Sequence, residues 1–144
     1  MKRISAPIAF VLIALISMVG AVAAGVLGAA AAVFLYDRGT SKGNDLAVAL
    51  IGLHAVGTFA FVVLFTFLCS RRGYAQWKLP FGALAACVGL LGVNTLFFSS
   101  AYDEYYAVFF LAAWALVALS GTAALAVCQR MLTRVRANRS EPLS

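Results

Sequence analysis

A chain of 144 residues that is 64% hydrophobic and only 11% charged lies outside the range of an ordinary water-soluble domain, where about 25% of residues are charged. Its eleven basic and five acidic side chains give a net charge of +6. They gather in five clusters, separated by four uncharged stretches: Ile4 to Tyr36, Leu46 to Ser70, Leu79 to Tyr102 and Tyr105 to Gln129.

Each stretch reaches the roughly 20 apolar residues that a helix needs to cross a hydrocarbon core about 30 Å thick. Only helices and closed barrels satisfy every backbone polar group in lipid. A barrel would show segments of about ten residues with alternating polarity, and the sequence has none. The expectation is an all-α polytopic membrane protein: an antiparallel bundle of four transmembrane helices with both termini in the cytoplasm.

Residues 1–7, with Lys2 and Arg3, read as a cytoplasmic N-terminus, and the first span as 8–36, with Pro7 suited to the first turn. The basic start and Ala21-Val22-Ala23 together mimic a signal peptide with its cleavage site. The apolar run, however, continues unbroken through Gly25 to Tyr36, well beyond a signal core of about 7–15 residues, so the helix is expected to be retained. Lipid removes the hydrophobic drive for helix association, leaving close packing over small residues to do much of that work. Gly20, Ala24, Gly28 and Ala32 recur every four residues, and Ala21, Gly25 and Ala29 run beside them. This groove is expected to pack against another helix of the same chain. The alternative is that it faces a separate membrane protein or a second copy.

Residues 37–45 (DRGTSKGND) form an outer loop whose charges cancel, with Asn44 or Asp45 as N-cap of the second span, 46–69. Within that span His54 lies eight residues from the outer end, about 12 Å deep at helical rise. Residues 70–78 contain Arg71, Arg72 and Lys78 with no acid and are assigned to the cytoplasm. The third span, 79–101, begins at Pro80 and carries a small-residue series, Gly82, Ala85, Gly89 and Gly92. Its Asn94 falls at the same expected level as His54, and a hydrogen bond between them would satisfy both, with Thr58 and Thr95 close enough to join.

The outer loop 102–105 holds Asp103 and Glu104 and is short enough to make its flanking helices neighbours. The fourth span, 106–129, offers Ala107, Leu111, Ala115, Ala118 and Thr122 along one side. The tail, 130–144, sets Arg130, Arg134, Arg136 and Arg139 against Glu141 and keeps helical spacing until Ser140-Glu141-Pro142. The alternation of basic and non-basic segments orients the chain with N-terminus, second connection and tail inside. Tyr36, Tyr102, Tyr105 and Tyr106 then anchor the outer interface, and Tyr74 and Trp77 the inner one.

Few residues carry chemistry. No Asp, Glu, Lys or Arg lies within a span, which argues against a proton-coupled pump. Cys69, Cys87 and Cys128 all fall within the membrane or at its inner face, where no extracellular disulfide is expected. There is no phosphate-cradling loop, zinc-ligand set or nucleophile–base arrangement, so neither a cofactor nor a metal is expected and the protein is not read as an enzyme. Arg71, Arg72, Lys78, Arg130 and Arg134 set topology and lie where anionic lipid headgroups would meet them; nucleic acid is not an expected partner. The first functional expectation is a non-enzymatic protein of the cell (inner) membrane. It would act by helix–helix contact with a membrane-protein partner or a second copy, as an accessory subunit, scaffold or immunity-type partner. The alternative is an oligomeric channel or small-solute carrier with its polar level at His54 and Asn94.

Overall fold

A computed structural model describes residues 6–37, 45–99 and 105–140, all but a short connection of them helical. The helices are α1 (Ala6–Asp37), α2 (Asp45–Arg71), α3 (Lys78–Ser99) and α4 (Tyr105–Ser140). Each contains a segment long and apolar enough to cross a membrane. Only 17–22% of the residues in those segments are buried inside the protein, so most apolar side chains face outward and need lipid as their solvent. Such a set of helices is that of a multi-pass membrane protein.

Local chemistry sets the helix ends. Pro7 and Pro80 each sit within the first turn, where a missing N–H costs no helical hydrogen bond. At the end of α2, the Tyr74 N–H donates to the Cys69 carbonyl at 2.9 Å and the Gly73 N–H to that of Ser70 at 3.1 Å. That pair of bonds is a Schellman cap, and it requires a left-handed residue between helix and exit. Gly73 supplies it with φ +93°. The chain then turns through Tyr74 to Trp77 and starts α3 at Lys78, with Pro80 fully buried.

α4 runs for 36 residues, about 54 Å at 1.5 Å per residue and well beyond the hydrocarbon thickness. Its last turns remain attached to the molecule. Leu132 is fully buried, and the Arg136 guanidinium lies 5.2 Å from the centre of the Trp77 ring. Trp77 and the tail arginines therefore meet at one end, beside Arg71, Arg72 and Lys78. Asn44, Tyr102, Asp103, Glu104 and Arg139, and the side chains of Asp45, Tyr105 and Tyr106, lie outside the described residues or side chains.

α2 is the hub. It packs against α1, α3 and α4, and α3 also touches α4, but α1 approaches neither α3 nor α4 among the described residues. The assembly is thus not a closed ring of four helices. The α1–α2 contact is the tightest: a Cβ added to Gly28 would fall 2.8 Å from the Gly52 carbonyl oxygen, and one added to Gly52 would fall 2.5 Å from that of Gly28. Gly20 meets Leu64, Gly25 meets Leu53 and Gly28 meets Gly52 and Val56, so numbering rises along α1 as it falls along α2. The small-residue groove of α1 is filled by α2 of the same chain. That approach occupies the side of α1 that carries Gly25 and Gly28.

Two cores form on this framework. One gathers Ile13, Val62, Phe65, Cys69, Ala83, Ala124 and Cys128, with Tyr74 and Leu79 against it, and so lies toward the arginine-rich end. The other, smaller, joins Leu91, Ala113 and Val117, with Ile51 and Trp114 alongside. Between α1 and α3, on the side of the smaller core, the helices leave a gap.

Candidate intramembrane binding cavity

The gap is a cavity of about 600 Å³, floored by α2, walled by α1 and α3 and reached by α4. Its existence follows from the topology: α1 and α3 both pack on α2, and their backbones do not approach each other among the described residues. Met18 and Val22 of α1, Leu50 and Phe61 of α2, Leu90 of α3 and Phe110 of α4 represent its apolar lining. Four lining residues carry polar side-chain atoms or a thiol: His54, Thr58, Cys87 and Asn94.

His54 and Asn94 are brought together. The His54 Nδ1 lies 2.7 Å from the Leu50 carbonyl oxygen, which accepts only, so Nδ1 carries the proton and Nε2 is left as an acceptor. The Asn94 amide nitrogen lies 3.3 Å from that Nε2 and donates to it. This fixes the orientation of the Asn94 amide. One of its N–H groups is spent on His54, while the second N–H and the amide oxygen make no hydrogen bond among the described residues.

The two threonines divide. Thr58 is buried and lines the cavity wall together with Cys87. Thr95 turns away from the pair: its hydroxyl donates to the Leu91 carbonyl at 2.8 Å and accepts the Trp114 indole N–H at 3.3 Å. Trp114 thereby ties α4 to α3 just behind the cavity. Cys87 and Thr58 were not singled out as a pair by spacing alone, since they lie on different helices 29 positions apart. Gly52 and Gly57 of α2 meet α1 closely, but their five-residue separation does not form the four-residue small-residue pattern, so spacing alone does not mark them.

The cavity ends inside the molecule. Below Thr58 and Phe61, Val62, Phe65 and Cys69 join Ala124 and Cys128 in the larger core, all buried to at least 94%.

The remaining site candidates are dispersed. Ala24 and Ala32 are half-buried along the α1–α2 contact, and Ala32 lies beside Gly52. Gly82 and Gly89 of α3 face open space, with nothing within 4 Å of an added Cβ. Ala107, Leu111, Ala115, Ala118 and Thr122 of α4 are exposed as well. Arg71, Arg72, Lys78, Arg130 and Arg134 are exposed at the end where α2 turns into α3, with the Arg71 guanidinium resting 4.9 Å from the Phe67 ring centre. Among the described residues no group of three or more His, Cys, Asp or Glu side chains is placed to hold a metal.

The helices and the cavity define the class as a multi-pass helical membrane protein. Compared with protein-family models, curated proteins and solved structures, the chain matches none of them.

Proposed function

We propose that this chain is a non-enzymatic, four-pass protein of the cell membrane that binds a small molecule inside the bilayer, the carrier form of the two functions its sequence suggests. In this reading the helices run alternately inward and outward with both termini in the cytoplasm. The basic segments then collect at the inner face, as positive charge does in membrane proteins. The cavity opens in the outer half.

One observation carries the reading: a cavity of about 600 Å³ that contains the unspent polar groups of Asn94. Ligand sites typically span about 300–1,000 Å³ and are mostly apolar with a few polar groups that orient the guest. The proposal is for a binding cavity rather than a pore, and the core of Val62, Phe65 and Cys128 packs beside it.

The test is native mass spectrometry of the protein released from gentle detergent. The wild type is expected to carry a discrete small-molecule adduct, and Ala86→Trp, which fills the cavity from α3, to lose it. Absence of any adduct on the wild type, or its survival in Ala86→Trp, would overturn the reading.

A second reading keeps the lateral partner, as an accessory subunit, scaffold or immunity-type protein. It is supported by the open faces of α3 and α4, where Gly82, Gly89, Ala115 and Ala118 leave small-residue surfaces without a neighbour. Co-purification from membranes that is lost in Gly89→Leu and kept in Ala86→Trp would favour it over the cavity.

A further inference from the structure

We infer that the cavity takes an uncharged, hydroxyl-headed hydrocarbon, a long-chain or polycyclic alcohol, which enters sideways from the bilayer and docks its hydroxyl on Asn94. This rests on the small-molecule reading above and names the ligand class.

Four features narrow the chemistry. First, the lining offers no charge, and no Asp, Glu, Lys or Arg stands within any of the four uncharged stretches, so an ionised headgroup would enter without a counter-charge. Second, the polar groups left over belong to one primary amide. Its second N–H donates and its oxygen accepts. A ketone, ester or ether answers only the N–H and leaves the amide oxygen dry. A hydroxyl accepts from the one and donates to the other, satisfying both.

Third, His54 locks the amide in that presentation. Its Nδ1 proton is committed to the Leu50 carbonyl, so Nε2 accepts from Asn94 and holds the plane of the amide against rotation. His54 is a positioning residue and Asn94 the contact residue. Fourth, size and access agree with a hydrocarbon tail. A cavity of about 600 Å³ falls within the roughly 300–1,000 Å³ of sites that take small organic ligands. The cavity lies between α1 and α3, whose backbones do not approach each other, so a tail can enter sideways between two membrane-spanning helices.

The experiment uses the full chain in lipid nanodiscs and hexadecan-1-ol carrying a photoreactive diazirine in its tail, with adducts mapped by peptide mass spectrometry. Adducts are expected on cavity residues such as Met18, Leu50 and Leu90. Unlabelled hexadecan-1-ol should compete about tenfold better than its methyl ether, the effect of losing one hydrogen bond of roughly 1.4 kcal/mol. Asn94→Leu should erase that preference while tail labelling in the cavity persists. His54→Phe should reduce the preference without abolishing it.

The two levels fail separately. Labelling scattered over outward residues such as Val19 and Leu27, and unchanged by Ala86→Trp, would overturn the small-molecule reading itself. Labelling confined to the cavity, with alcohol and methyl ether competing equally in the wild type, would overturn the hydroxyl class and leave the cavity intact. A wild-type preference that survives in Asn94→Leu would overturn the role of Asn94. The preference ratio compares two competitors on one protein sample, so reduced yield of a variant does not imitate any of these results.

Discussion

Ser17, Thr95 and Thr133 each turn the hydroxyl back onto a carbonyl four residues earlier, and Ser120 onto one three residues earlier. For Ser17, Thr95 and Ser120, within the apolar spans, this is how a hydroxyl is satisfied where there is no water to offer, and Thr133 in the tail adopts the same geometry. Thr66 departs from the pattern. It is fully buried and its Oγ1 makes no well-formed hydrogen bond; it faces the sulfur of Cys128, a weak acceptor whose own proton goes to the Val62 carbonyl at 3.7 Å. A buried hydroxyl left unpaired costs about 1–3 kcal/mol, so Thr66→Val is expected to stabilise the protein by about that amount in reversible unfolding from mixed micelles. A clear loss of stability would mean that Thr66 has a partner and that the packing around Cys128 differs. The sequence shows Thr58, Thr66 and Thr95 as equals. Their different fates depend on which neighbouring helix reaches each hydroxyl first, and that is a property of helix rotation rather than of residue type.

Between helices the decisive contact is Gly28 against Gly52, where the two backbones approach more closely than any side chain would allow. Gly52→Leu is therefore expected to push α1 off α2, at a cost of at least about 2 kcal/mol, because the obstructing atoms are carbonyl oxygens that cannot rotate away. Gly82→Leu meets open space and should leave the monomer fold unchanged. Energy transfer between dyes at the N-terminus and at the α2–α3 turn distinguishes the two. If Gly82→Leu lowers the transfer and Gly52→Leu does not, the assignment of the packed face is wrong. Small-residue series were legible on α1, α3 and α4 alike, but periodicity cannot say which series is used. Two backbones approach only where both partners are small, and α1 alone finds glycines, Gly52 and Gly57, opposite its own.

For the molecule as a whole, the proposed orientation makes a direct prediction. In a cysteine-free background, Ser41→Cys is expected to react with a membrane-impermeant maleimide added to intact cells. Gln76→Cys, between Arg72 and Lys78, should react only after permeabilisation. The reverse pattern would invert the topology and move the cavity to the inner leaflet, leaving its lining unchanged. The positive end itself is a structural feature: the α4 extension returns to the α2–α3 turn through Leu132 and the Arg136–Trp77 contact, so the basic residues share one region.

The number of apolar helices could be read from the chain alone, because the cost of burying a charge or an unpaired backbone group in lipid acts on each segment separately. His54 and Asn94 could be matched in depth for the same reason, since rise per residue converts sequence position into height. Their contact, the unspent groups of the Asn94 amide and the space around them required three dimensions. Nothing in the pattern of α1 or α3 says that they pass without touching. That follows from α2 taking the centre, with its glycines drawing α1 to one side while α3 packs on α2 and α4. The cavity is the volume this choice of neighbours leaves unfilled.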